Sequence, residues 1–244
     1  MAVTRTITNV LPDGTMILYA DPAAAVVIWQ MTFSELSSAD INALQSHFQS
    51  CYGPYRAFTF IDPTDNMLAS STNLISSSWA SSPLIQIAAG ATDPMGGATA
   101  FVLTNTSNSA QQLFQQTTVP ANYQYCFSLY ALSAQPSTIA LFRRGASATA
   151  NETMEIGNYW RRIVSTGRLN DPGTQLSVGV NLAPGQQVTL FGLQLEAQIQ
   201  PSRYRATAGN GGIYPNSHWT SNRLPITSDA PDSFSAAFTI QSTL

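Results

Sequence analysis

Between Leu84 and Glu196 the chain is a succession of short apolar or alternating runs, broken by Gly, Pro, Asn and Ser, with no stretch of helical periodicity. A chain patterned this way has only strand faces to bury, and it must bury them against one another. The runs predict strands at Leu84–Ala88, Ala98–Thr104, Leu113–Val119, Tyr123–Leu132, Thr138–Arg143, Trp160–Ser165, Gln175–Val180 and Gln187–Glu196. Many short strands without a helix imply an antiparallel β-sandwich or jelly roll. In the most strongly β of them, Tyr123, Tyr125 and Phe127 share one face, and Cys126, Ser128 and Tyr130 share the other. Taking Phe127 as core makes Tyr123 and Tyr125 partly core as well. Glu152 and Glu155 fall in a run that reads as a solvated loop.

The flanking segments read differently. Residues 3–10 and 15–19 alternate around Pro12-Asp13-Gly14, a turn signal, so they predict a hairpin. A strand at Ala25–Phe33 follows, with Trp29 as its buried anchor. Ser37 and Asp40 form a capping-box pattern ahead of Ile41, Leu44 and Phe48 at helical spacing, and Gly53-Pro54 stops that helix. His47 sits beside the apolar stripe and reads as a boundary residue. Tyr55–Leu68 opens as a strand with Phe58 and Phe60 on one face, and it stops at Asp62-Pro63. A Ser-rich run comes next. After the glycine-rich bend near Ala208, strands are predicted at Asn222–Ile226 and Phe234–Ile240 around a turn at Ser228–Asp232. That tail is too short for a core of its own, and the N-terminal fragment lacks strands. We therefore expect a discontinuous α+β domain with one helix, residues 1–66 plus 207–244. A jelly-roll β-sandwich, residues 67–206, would be inserted into it. The overall class is mainly β.

Charge narrows the function. Only 9% of residues are charged and the formal net charge is −3, against roughly 25% charged in an average soluble domain. All ten cations are Arg and none is Lys. Arg suits packed interfaces, although genomic base composition would produce the same bias. No basic run exists to track a nucleic-acid backbone. No apolar run approaches the ~20 residues of a membrane span, so no membrane insertion is expected. The first residues lack a signal-peptide pattern, which implies synthesis in a host cytoplasm. Cys51 and Cys126 stand far apart without neighbouring ligands and read as buried free thiols.

Two segments resemble known families. "WQMTFSELSSADINALQSHF" with "GPYRAFTFIDPTDNML", Trp29 to Leu68, resembles the N-terminal part of minor tail proteins of tailed bacteriophages. "SLYALS" (128–133), "NYWRRIVST" (158–166) and "VTLFGLQLEAQIQPSRYRAT" (188–207) resemble carbohydrate-binding-module-like jelly rolls of phage structural proteins and glycan-degrading enzymes. The resemblance implies a virion component of the tail or head–tail region. As such it would be a homo-oligomeric ring protein docked to other virion proteins, without enzymatic activity. The alternative it implies is an adhesin module contacting host glycans.

Candidate sites are few. Sugar faces stack on aromatic rings, so Trp79, Tyr130, Trp160 and Arg162 are the glycan candidates, each equally open to a packing role. Asp62, Asp65, Asn66 and Asp93 could offer oxygen ligands to calcium, yet the same residues form turns. No other cofactor is indicated. There is no Gly-x-Ser-x-Gly, and His47 and His218 have no evident nucleophile beside them. Glu152 and Glu155 have no supporting pattern for a glycosidase pair.

Overall fold

The computed structural model describes the backbone of residues 2–243 and the side chains of 8–19 and 26–243. The protein is mainly β, with one helix among the described residues. Its internal contacts divide it into two units: residues 1–60 with 213–244, and residues 61–212.

In the first unit, β1 (Ala2–Val10) pairs antiparallel with β2 (Met16–Leu36) across the Pro12–Gly14 turn. Two predicted strands, 15–19 and 25–33, are thus one. The chain spans Pro22–Ala25 by a register shift between Val3 and Arg5 of the partner, a bulge that lets the strand run on past a proline. The helix α1 (Ser38–Ser50) starts at a complete capping box: Ser37 accepts from the Asp40 N–H and the Asp40 carboxylate accepts from the Ser37 N–H. It ends at Cys51, beyond which Tyr52 and Gly53 take positive φ. The strand β3 (Phe58–Ile61) leads out.

The second unit holds β4 (Ala80–Ser81), β5 (Ile85–Ala91), β6 (Ala100–Asn105), β7 (Gln111–Thr117), β8 (Tyr125–Leu132), β9 (Ser137–Arg144), β10 (Thr149–Ile156), β11 (Arg161–Gly167), β12 (Leu176–Leu182) and β13 (Gln187–Glu196). They form two five-stranded antiparallel sheets, ordered β10-β9-β12-β7-β4 and β11-β8-β13-β6-β5. This is a β-sandwich of jelly-roll type. Its core is the pair of inner faces, with Tyr125, Phe127, Leu129, Ile139, Leu141, Val178, Val180, Leu190 and Leu195 almost completely buried. Tyr123 is 59% exposed, since the strand begins only at Tyr125. Residues 149–156 are a strand, not a loop. Glu152 faces inward there and meets Arg143 at 3.1 Å. Cys126 is buried and unpaired, and burial pushes its thiol pKa up to about 11.

The chain returns as β14 (Ile213–Trp219), β15 (Ile226–Ala230) and β16 (Ser233–Thr243). Residues 222–225 are not a strand; β15 begins at Ile226. The first unit's sheet runs β1-β2-β16-β14-β3, with β15 also on β16. Trp219, Ile240 and Trp29 stand opposite one another across it. Trp219 is its hub, 4.7 Å from Phe238, 5.2 Å from Phe48 and 6.0 Å from Phe58 between ring centres. Trp29 is only half-buried, against Phe60 and Tyr214. His47 packs edge-on to Phe58, and its pKa is lowered by burial. The unit boundaries lie at Phe60/Ile61 and Gly212/Ile213, not 66/67 and 206/207. The reason is that 62–72 hydrogen-bond to 195 and 207–212 of the sandwich: Asp62 N–H to Gly212, Met67 N–H to Leu195 and Thr72 N–H to Thr207. No helix among the described residues is long and apolar enough to cross a membrane.

Candidate functional site

The sandwich has two outer faces, and they differ. The register fixes which side chains share each one, because residues directly opposite in antiparallel strands point the same way.

The outer face of the β11-β8-β13-β6-β5 sheet carries Cys126, Ser128, Tyr130, Arg162, Val164, Thr166, Phe191, Gln194 and Glu196. The segment Ile199–Thr207 lies along it and is tied down at several points. Glu196 accepts from the Ser202 N–H and hydroxyl, and Gln194 accepts from the Arg205 N–H. Arg162 donates to Ser202 O and Ser128 Oγ, and Thr166 donates to Ile199 O. Tyr204 packs edge-on to Phe191, 5.2 Å between centres. Two glycan candidates, Tyr130 and Arg162, do come together here: the guanidinium stands 5.5 Å from the ring. Both belong to this strapped face, where Arg162 is engaged in holding the strap.

The other candidates lie elsewhere. Trp160 is half-buried just before β11. Trp79 is 7% exposed, with its indole N–H donating to Ser70 O. It immediately precedes β4 and is buried rather than presented on a surface. The proposed calcium ligands are occupied by the protein itself. Asn66 is fully buried; its amide donates to Leu193 O and Arg205 O and accepts from the Leu68 and Leu195 N–H groups. Asp93 accepts from Thr99 Oγ1 and from the Met95, Gly97 and Thr99 N–H groups, which lowers its pKa, the Thr99 hydroxyl first. Asp62 accepts from Thr64, and Asp65 from the Asn66 N–H. Among the described residues no cluster of His, Cys, Asp and Glu could hold a metal ion.

Among the described residues no such strap is tied across the outer face of the β10-β9-β12-β7-β4 sheet. One row of residues crosses all five strands: Asn151, Phe142, Gly179, Phe114 and Ala80. Thr153, Ala140, Asn181 and Gln112 form the row on one side, and Thr149, Arg144, Ser177 and Gln116 the row on the other. Gly179 leaves the centre of this face without a side chain. A Cβ there would sit 2.2 Å from Leu113 O and 2.6 Å from Phe114 Cβ, so only glycine fits. Phe114 and Phe142 flank the gap with centres 6.3 Å apart. Arg144 folds across both rings, 5.2 and 5.0 Å from their centres, and donates to Gln112 Oε1 at 3.2 Å. Phe142 is 1% exposed beneath it. Asn151, Thr149, Thr153 and Gln116 are exposed around this stack. Asn181 Oδ1 is a buried acceptor without a donor.

The adjacent Arg143 points the opposite way, into the sandwich. It donates to Glu152, Ser165 Oγ, Gly167 O and Thr166 O, and is 3% exposed. No sequence motif marked Phe114, Phe142 or Arg144. The available signal was Gly179, a glycine in the middle of a β-like run, which indicates close approach of something to the backbone.

No family model and no curated protein matches this chain. Solved structures do resemble it. The C-terminal family 22 carbohydrate binding module of Clostridium thermocellum Xyn10B aligns at 13% identity and a TM-score of 0.47, covering 59% of this chain and 100% of its own. The CBM22-1 xylan-binding domain of Paenibacillus barcinonensis Xyn10C aligns at 13% identity and 0.44, covering 60% and 99%. The enzymatically active domain of bacteriophage CBA120 tailspike protein 4 aligns at 13% identity and 0.43, covering 60% of this chain and only 22% of its own length. At this distance neither the xylan of one nor the activity of the other carries over to this chain.

Proposed function

We propose that the β-sandwich unit is a non-enzymatic carbohydrate-binding module whose ligand lies on the open outer face of the β10-β9-β12-β7-β4 sheet. The observation that carries this reading is the stack at its centre. Phe114 and Phe142 close in on either side of the buried Gly179, and a planar guanidinium stands over both rings, with amides and hydroxyls around it. A flat surface rimmed by Gln, Asn and Thr matches a sugar, which offers an apolar ring face and a rim of hydroxyls. The buried Asn181 acceptor would gain a donor from a hydroxyl or a bridging water. Binding to a panel of immobilised polysaccharides tests this directly. Phe114→Ala should weaken binding at least tenfold, while Trp160→Ala and Tyr130→Phe leave it unchanged. Binding that survives Phe114→Ala and is lost in Trp160→Ala would move the site to the other face and refute the assignment.

A second reading concerns the first unit, and the two are compatible. Among the described pairings residues 16–21 of β2 meet β1 alone, so the hairpin extends there as a two-stranded ribbon. Val10, Met16 and Leu18 share one face of it at 65%, 62% and 61% exposure, and Tyr19 on the other is 51% exposed. Isolated ribbons are marginal in water, and clustered apolar residues on one call for cover. We propose a second copy of this chain as the cover, in keeping with a self-associating virion component of tailed-phage type. Light scattering should report an oligomer that Met16→Asp with Leu18→Asp converts to monomer; a monomeric parent would end this reading. Mass spectrometry of purified particles tests the virion location.

A further inference from the structure

We infer that the ligand of the open face is an anionic polysaccharide, and that Arg144 reads its carboxylate or sulfate; this rests on the open face being the glycan site. Arg144 is the one cation of the three central rows, which otherwise hold Thr, Asn, Gln, Ser, Ala, Gly and Phe. Among the described residues it has no carboxylate within ion-pair distance, and the chain's described ion pair belongs to its neighbour Arg143. The two arginines are thus treated oppositely. Arg143 is surrounded by Glu152, Ser165 and two carbonyls; Arg144 makes one hydrogen bond, from Nη1 to a neutral amide.

Position matters as much as charge. The guanidinium stands over Phe114 and Phe142, 5.2 and 5.0 Å from their centres, and only Nη1 is engaged in a described hydrogen bond, so its other N–H donors are left for a ligand. With Phe142 covered and Phe114 half-buried, what a ligand meets at the centre of the face is the guanidinium beside one partly exposed ring. A planar fork held in place pairs bidentately with a carboxylate or sulfate and loses little freedom in doing so. Gln112, on the far side of the stack, holds Nη1 and sets the in-plane orientation. A purely neutral sugar would leave that cation partnered only by an amide and water. The protein's overall charge of −3 would repel polyanions, so attraction must come from this local cation rather than from the general field.

The test compares matched polymers on the intact chain: polygalacturonate and its carboxyl-reduced form, dextran sulfate and dextran, by isothermal titration and affinity electrophoresis. Binding to one of the two acidic polymers should exceed that to its neutral counterpart by at least tenfold. It should fall at least tenfold in Arg144→Gln, recover in part in Arg144→Lys, and weaken as salt rises. Circular dichroism and the urea midpoint should show Arg144→Gln folded. Equal binding of charged and neutral partners, lost in Phe114→Ala and kept in Arg144→Gln, overturns the anionic inference and leaves the glycan site standing. Absence of binding to all four polymers together with a flat wider panel overturns both.

Discussion

Replacing Asn66 distinguishes a structural clasp from a cation ligand, and the structure sets the size of the effect. The side chain is 0% exposed and makes four hydrogen bonds of 3.0–3.1 Å, to Leu193 O, Arg205 O and the N–H groups of Leu68 and Leu195. It thereby joins the entry of the sandwich unit to its last strand and its exit, both more than 125 residues further along the sequence. Each such bond contributes about 1 kcal/mol net, and three of the four backbone groups left behind, on Leu68, Leu193 and Leu195, belong to buried residues. Asn66→Ala should therefore cost about 4 kcal/mol, between about 2 and 6, a large share of a typical domain stability. Asn66→Asp should cost at least as much. It keeps the acceptor but replaces the two amide donors with an oxygen that faces the Leu193 and Arg205 carbonyls, and it buries a charge. A cation site would behave oppositely: Asp would be tolerated and calcium would raise the melting temperature. Urea denaturation at constant m-value, with and without calcium, measures both. A loss under about 1 kcal/mol for Ala, or a calcium-dependent gain for Asp, would refute the clasp.

Other outcomes follow from the same geometry. Arg143→Ala leaves Glu152 facing inward unpaired, and should cost about 3 kcal/mol in the same assay while Arg144→Ala costs under about 1. Gly179→Ala puts a methyl against Leu113 O and should destabilise by about 2 kcal/mol or more as β7 and β12 are pushed apart, with the sheet's far-ultraviolet signal reduced. Asp171 accepts the N–H groups of Ser147, Gly173 and Ala148, which lowers its pKa to about 2 from the usual 3.8. Below 3.8 the unfolded chain takes up a proton there before the native state does. The stability it supplies is therefore complete above pH 3.8 and lost as pH falls toward 2, and Asp171→Asn should flatten that part of the acid-unfolding profile.

How much was legible in the sequence depended on whether a residue's role was local. The sandwich class follows from period-two runs such as Tyr125–Leu132, and the helix start from Ser37 and Asp40, both local signals. The strand at Thr149–Ile156 was hidden because Glu152 occupies an inward position, and it can do so only because Arg143 waits on the neighbouring strand. Likewise the strands expected at 15–19 and 25–33 are one, because a bulge opposite Thr4 carries the chain through Pro22. Asn66 read as a turn residue with spare oxygens, since its four partners include groups far along the chain. The candidate ligand face was the least legible part. Phe114 and Phe142 sit on separate strands and become a pair only through β12 between them.

The stretch with the most recognisable sequence, Gln194-Leu-Glu196 through Pro201-Ser-Arg-Tyr204, explains why motif and function part company here. Each of its distinctive residues is spent on closing the sandwich. Glu196 holds Ser202, Gln194 holds Arg205, Tyr204 packs on Phe191 and reaches Ser71, and Thr207 bonds Ser71 and Leu68. A strap with this many specific contacts constrains sequence strongly, so it is what a reader recognises, and it covers the face it crosses. The opposite face has no such closing task. Its exposed side chains, unlike Phe142 and Gly179 at its centre, can change with only a small effect on folding, as expected for Arg144 beside Arg143. A ligand preference can therefore be rewritten on that face while the recognisable strap stays the same, and the strap residues are informative about closure and silent about what is bound.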